Sequence, residues 1–272
     1  MSKKENDSQS PDLEKIKKIR LQSGNNFHCK VLNHLRREIK KDTGETRQPL
    51  DTLVSPYYLD GFTNKPRELD IVAYKGNYNY ETNKQAVAML FIECKFVTKP
   101  TVFWFDKIDR DKANALIEGS SFAKNGSDYN NRHHYLKTEN VSKLFQSEKA
   151  SGTDTDPIFK ATNQCLNATV SLMGMHSTKL RNYSDRSQIV MNYPVVVVNN
   201  FDNFYRVNMD DEEKAEPQKI EDNFLLEVDY SYRDKSGTPV SKYFLVDIVS
   251  FEKLEDFIGD IQVDIYIATD PQ

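Results

Sequence analysis

Between Arg67 and Phe96 the chain reads RELDIVAYK, then GNYNYETNKQ, then AVAMLFIECKF. No other stretch restricts the possible folds as much. Two runs rich in Val, Ile, Tyr and Phe flank a polar segment carrying Gly76, Asn77, Asn79 and Asn83, which is the composition of a long β-hairpin and its turn. Side chains alternate between the two faces of a strand, so Glu68 and Asp70 share one face while Leu69 and Ile71 share the other. In the second run Glu93 and Lys95 face together, with Ile92 and Cys94 pointing away. Folding about Glu81–Thr82 sets Asp70 opposite Glu93–Lys95. Two or three carboxylates and one lysine then meet on a patch of an otherwise apolar sheet. Charges in such a setting are costly unless compensated. One solution is a cross-strand ion pair of Asp70 or Glu68 with Lys95. The other is a divalent-metal site, with hard carboxylate oxygens on the cation and the lysine near an attacking water. The spacing alone leaves both open.

The flanking segments supply elements to either side. Residues 1–11 are polar and are expected to form a disordered tail, with 12–272 as one domain. Leu13, Ile16 and Ile19 recur at helical spacing as far as Ser23-Gly24. Phe27, Val31, Leu35 and Ile39 then mark a second helix with a basic outer face (Lys30, Arg36, Arg37, Lys40, Lys41). Leu50–Phe62 reads as a strand. Residues 97–157 are too long for a simple connection and read as an insertion hung on the functional end of the sheet. They contain VFWF at 102–105, a helix around Asp109–Glu118, a Gly/Ser/Asn-rich loop over 119–131, and a short helix around Val141–Lys149. Trp104, Phe105 and Tyr135 offer either stacking surfaces for bases or a small satellite core, with the core favoured. The neighbouring His133 and His134 are set aside as metal ligands, because adjacent residues rarely reach one ion without further ligands nearby.

Asp156-Pro157 open a helix with a buried stripe of Ile158, Ala161, Cys165, Ala168 and Leu172. PVVVV, within Gln188–Asn199, indicates a strand covered on both faces. Strands at Phe224–Tyr232 and Tyr243–Val249 follow. A short amphipathic helix (Phe251, Leu254, Phe257, Ile258) and an alternating edge strand, IQVDIYIA, complete the chain. The fold class expected is α/β, a mixed central sheet flanked by helices.

Composition bounds the function more loosely. Hydrophobic residues make up 38% and charged ones 29% of 272 residues, a globular balance, and no run is long enough to span a bilayer. The N-terminus lacks the apolar core of a signal peptide, and three cysteines without a CxxC pair read as buried, reduced thiols, so a cytoplasmic location is expected. Net charge is −4, but it is unevenly spread. Asp12–Arg47 carries ten Lys and Arg against five Asp and Glu, whereas Asp202–Gln272 carries seven against eighteen. A polyanion is therefore expected to approach the N-terminal half.

Asp70 followed by Glu93-Cys94-Lys95 resembles the Asp…(Asp/Glu)-x-Lys signature of the PD-(D/E)XK, or restriction-endonuclease-like, nucleases, and RELDIVAYK and FIECKF resemble its two halves. The order helix, strand, long hairpin, helix, buried strand over about Gly24–Asn199 is similar to the αβββαβ core of that family. The resemblance implies metal-dependent hydrolysis of nucleic acid, with a DNA endonuclease of restriction or defence type as its most direct form. It implies Mg2+ or Mn2+ held by Asp70, Glu93 and the backbone carbonyl of Cys94. Lys95 would then position the attacking water, and Gln164, from the following helix, would orient Lys95, a water or a phosphate. Glu68 would stand in the outer shell or pair with Arg67 or Lys95. A homodimer follows by analogy with members that cut both strands. Two departures matter. His28 follows Phe27 where the family often has a metal-binding glutamate, which leaves His28 as a nitrogen or water-mediated partner, or as an inert histidine. Ala168 stands where some branches place a tyrosine. The alternative is a nuclease-fold protein that binds nucleic acid or a partner protein without cutting.

Overall fold

In the computed structural model, which describes residues 11–22, 24–40, 44–61, 63–119, 132–148, 156–173, 187–212, 215–234 and 236–269, the hairpin consists of β6 (Ile71–Asn79) and β7 (Lys84–Lys95). Its register pairs Ile71 with Ile92 and Asn79 with Lys84, so Asp70 falls across from Glu93. The turn chemistry explains the register. Asn79 Oδ1 accepts from the amides of Glu81 and Thr82 at 2.9 and 3.3 Å, and Asn83 adopts a left-handed φ of 53°. Asparagine both mimics a backbone turn and tolerates that conformation.

The hairpin lies in a ten-stranded mixed sheet. On one side, β3 (Asp51–Val54) is the edge strand, antiparallel to β6. On the other, β7 runs parallel to β10 (Ser187–Val198), which runs parallel to β14 (Pro239–Ser250). Beyond these come β13 (Phe224–Arg233), β9 (Asn140–Ser147), β8 (Thr101–Lys107), β11 (Phe204–Asn208) and the short edge β12 (Gln218–Lys219). Two ribbons lie outside the sheet: β1 (Ile39–Lys40) with β2 (Thr46–Arg47), and β4 (Tyr57–Leu59) with β5 (Pro66–Glu68).

Helices cover both faces. The α2 (Asn25–Arg36), α3 (Arg110–Gly119) and α5 (Leu254–Thr269) helices bury Val31, Leu35, Ile117 and Ile261 in one core with Leu90, Ile92, Val195 and Val197. On the opposite face α4 (Pro157–Leu172) sets Cys165, Ala168 and Leu172 against Met89 and Phe91. Sandwiched between, Val195–Val198 are fully buried, the condition a continuous β-branched run needs. Each large apolar side chain buried this way contributes about 1.5–3 kcal/mol. Asp156 caps α4 through the amides of Ile158 and Phe159. No helix among the described residues is long and apolar enough to cross a membrane.

Several expectations need correction. The strand expected over Leu50–Phe62 is broken at Ser55-Pro56, where Ser55 takes φ 47°, so that only β3 joins the main sheet. Val141–Lys149 is strand β9 over its described part, not a helix. Its Val141, Leu144 and Phe145 fit helical spacing, but β8 offers a partner, and Phe145 packs on Phe103 with ring centroids 5.9 Å apart. Accordingly 97–157 is not hung on the functional end: β8 and β9 enter the far half of the sheet. Phe105 and Tyr135 are buried, which favours core over base stacking. IQVDIYIA is not a strand but the second half of α5. Ile258, Ile261, Ile265 and Ala268 face the core at helical spacing, whereas Val263 and Tyr266 are exposed. Cys29 is exposed, not buried. The tail at 1–10 and the loop at 120–131 lie outside the described residues; Pro11 already belongs to α1 (Pro11–Gln22).

Candidate functional site

The end of the hairpin nearest β10 and α4 gathers most of the residues singled out by spacing. Glu93 and Lys95, two apart on β7, project to the α4 face. Lys95 Nζ lies 3.0 Å from Glu93 Oε2 and donates to Gln164 Oε1 at 3.4 Å. Asp70 sits in the bend entering β6, and its Oδ2 accepts the Cys94 amide proton at 2.7 Å. That bond ties the bend to the next strand and aims the Asp70 carboxylate across it. From α2, His28 Nδ1 approaches Asp70 Oδ1 to 3.9 Å.

Burial decides the electrostatics. Glu93 is 1% exposed, and its Oε1 has no hydrogen-bond partner among the described residues. Burial, and then the neighbouring Asp70 carboxylate, push the Glu93 carboxyl from 4.5 up to about 7 against the pull of Lys95 and of the Asp70 backbone amide. Lys95 and the nearby backbone amides therefore leave Glu93 short of full compensation. His28 Nε2 is likewise buried without a partner among the described residues. The Cys94 thiol is pushed up by burial and by Asp70, which keeps it unreactive. A pair of carboxylates with one unmatched buried oxygen is a donor set suited to a hard divalent cation.

Glu68 is not brought to this site. It lies on β5, exposed, where it is paired across from Tyr57 and accepts from the Tyr57 hydroxyl. Arg67 pairs instead with the buried Asp60, at 3.4 Å. A residue the spacing missed is Tyr58. Buried behind the Ser55-Pro56 break, it donates its hydroxyl to the Gln164 carbonyl at 3.2 Å, and its pKa is raised by burial and by Glu93. Only the alternation within YYLD hinted at its inward direction.

A second buried cluster joins His133, His134 and Asp264, whose nearest donor atoms all lie within 4.8 Å of one another, a spacing that could hold a metal ion. The further ligand that the sequence did not offer comes from α5. Hydrogen bonding nevertheless occupies the ring nitrogens. His134 Nδ1 meets Asp264 Oδ2 at 2.5 Å and its Nε2 meets Asp247 Oδ1 at 3.2 Å. Burial alone would lower the His134 pKa, but Asp264 and Asp247 reverse this and push it up to about 10. Held between two carboxylates, His134 is an imidazolium without a lone pair for a metal. His133 accepts the Tyr135 amide at Nδ1, which leaves its proton on Nε2 beside Asp264. Its pKa is lowered to about 3 by burial, with Asp264 opposing. The protonation pattern makes this cluster an ion network fastening the 134–136 turn to β14 and α5.

No family model matches the chain, and no curated protein or solved structure matches it.

Proposed function

We propose that this chain is a divalent-metal-dependent nuclease, a hydrolase of phosphodiester bonds. The particular reading is a DNA endonuclease of restriction or defence type. The observation that carries it is the convergence of Asp70, Glu93, Lys95 and Gln164 around a buried carboxylate oxygen with no partner among the described residues. The resemblance to the PD-(D/E)XK family supports it. So does the sequence of elements α2, β3, β6, β7, α4 and β10, with β6 antiparallel and β10 parallel to β7, which is compatible with an αβββαβ core.

In this reading Asp70 and Glu93, with the Cys94 carbonyl, hold Mg2+ or Mn2+. Such a cation, when bound, polarises the scissile phosphate and acidifies a water. Lys95 positions that water and stabilises the negative charge that builds on phosphorus in the transition state. Gln164 Oε1 fixes the Lys95 ammonium, and Tyr58 fixes the α4 backbone at Gln164. A homodimer would let two such sites act on opposite strands.

One observation favours the second reading, a nuclease-fold protein that binds without cutting: His28 stands near Asp70 where a third acidic ligand would strengthen cation binding. Incubating plasmid with the protein and Mg2+ or Mn2+ separates the two. Nicking or linearisation that Lys95→Ala reduces by about 10²–10³ supports the enzyme. Salt-sensitive binding with no cleavage in either metal supports the binder.

A further inference from the structure

Between α4, β13 and the β4–β5 ribbon lies a cleft of about 770 Å³, lined by none of Asp70, Glu93, Lys95 or Gln164. Asp60 and Arg67 form part of one wall, Asn163 and Asn167 on α4 another, and Tyr230 and Tyr232 on β13 a third. One side chain links its wall to the helix that carries Gln164. Tyr58, next but one to Asp60, bonds the Gln164 carbonyl, on the helix that also carries Asn163 and Asn167.

The walls have a definite chemistry. Tyr230 and Tyr232, two apart on one strand face, hold their rings nearly parallel, at 18°, with centroids 6.5 Å apart. That separation is close to two stacking distances of about 3.4 Å, the rise between successive bases. The Tyr230 hydroxyl donates to Asn167 Oδ1 at 2.6 Å, which fixes that ring and turns the Asn167 amide. Asn163 adds a second amide one helical turn earlier, and Arg67 stands at the rim, half exposed. Flat aromatic faces with amide donors and acceptors match a nucleobase.

We infer that this cleft binds an unpaired nucleobase of the strand that reaches Lys95, so that the substrate is single-stranded, or has a base turned out of its duplex. The inference rests on the nuclease reading and names its substrate class. Planar faces can be stacked by a side chain only when the base has left its own stack.

The test uses the full chain with labelled single-stranded DNA and RNA oligonucleotides and the blunt duplex of the same sequence, with binding read by fluorescence anisotropy in EDTA and cleavage read in Mg2+. Single strands are expected to bind at least about tenfold tighter than the duplex. Tyr232→Ala should weaken single-strand binding about 5- to 100-fold, the range for one lost stacking contact, and raise KM with kcat retained. Tyr232→Phe keeps the ring and should restore binding to within about twofold. Lys95→Ala should lose cleavage and keep binding. If Tyr232→Ala and Asn163→Ala bind single strands as the wild type does, the cleft assignment is overturned, while cleavage dependent on Lys95 would leave the nuclease reading standing. If no oligonucleotide is bound or cut, both fall.

Discussion

Replacing Glu93 with Gln isolates the electrostatic frustration at the hairpin's end. Burial and the Asp70 carboxylate raise the Glu93 carboxyl from 4.5 to about 7 in the folded chain. In the unfolded chain it titrates near its ordinary value, so between pH 4.5 and 7 the folded state binds more protons than the unfolded one. Stability from this group is therefore full below about pH 4.5, falls as pH rises to about 7, and is level above that. At about 1.4 kcal/mol per pH unit, the ionised carboxylate costs about 3 kcal/mol at pH 8. Glutamine keeps the shape and carries no charge. Denaturant unfolding in EDTA at pH 4.5, 6 and 8 should show the variant about equal to wild type at pH 4.5 and more stable by up to about 3 kcal/mol at pH 8. Other titrating groups cancel in the difference. Millimolar Mg2+ should close the gap by stabilising the wild type alone. A variant that is less stable than wild type at pH 8 in EDTA would refute the reasoning, because it would mean that the ionised carboxylate is already well paired.

Four further outcomes can be measured in the same way or in a cleavage assay. His134→Ala leaves Asp264 and Asp247 buried together, and should cost about 3–5 kcal/mol in denaturant unfolding. In the wild type, His134 stays protonated to about pH 10 against 6.5 unfolded, so its contribution is complete below pH 6.5 and is lost as pH rises towards 10; unfolding curves at pH 7 and pH 9.5 read that loss. Asp156→Ala removes the cap from α4 and a bond to the Ser147 amide, and should lower stability by about 1–2 kcal/mol by the same measurement. Gln164→Ala should change stability by less than about 0.5 kcal/mol, yet lower kcat measurably in a plasmid-nicking assay, because it frees the Lys95 ammonium.

The hairpin was legible because its information is local. Period-two alternation fixed which residues share a face, and the asparagine turn fixed the register, so the meeting of Asp70 with Glu93 and Lys95 needed nothing from elsewhere. The buried strand β10 and the capped helix α4 were legible for the same reason, through PVVVV and Asp156-Pro157. Errors arose where a pattern fitted two periods. Ile261, Val263, Ile265 and Ile267 alternate like a strand, but Ile258, Ile261, Ile265 and Ala268 also form a helical stripe, and the core shared with α2 and α3 selected the helix. Val141–Ser147 went the other way because β8 supplied an edge to pair with. Glu68 was misplaced because alternation was carried back through the bend at Asp70, where the strand direction changes. Tyr58 and the partners of His134 were illegible in principle, since each depends on contacts between residues more than a hundred positions apart.

The claim on which the rest depends is that Asp70 and Glu93 together hold one hard cation. Electron paramagnetic resonance of Mn2+ titrated into the protein reads this directly, since bound ion loses the free-ion signal. The account predicts one site in the wild type, displaced by Mg2+, and lost in both Asp70→Asn and Glu93→Gln. Undiminished Mn2+ binding by the two variants, or none by the wild type, would contradict it.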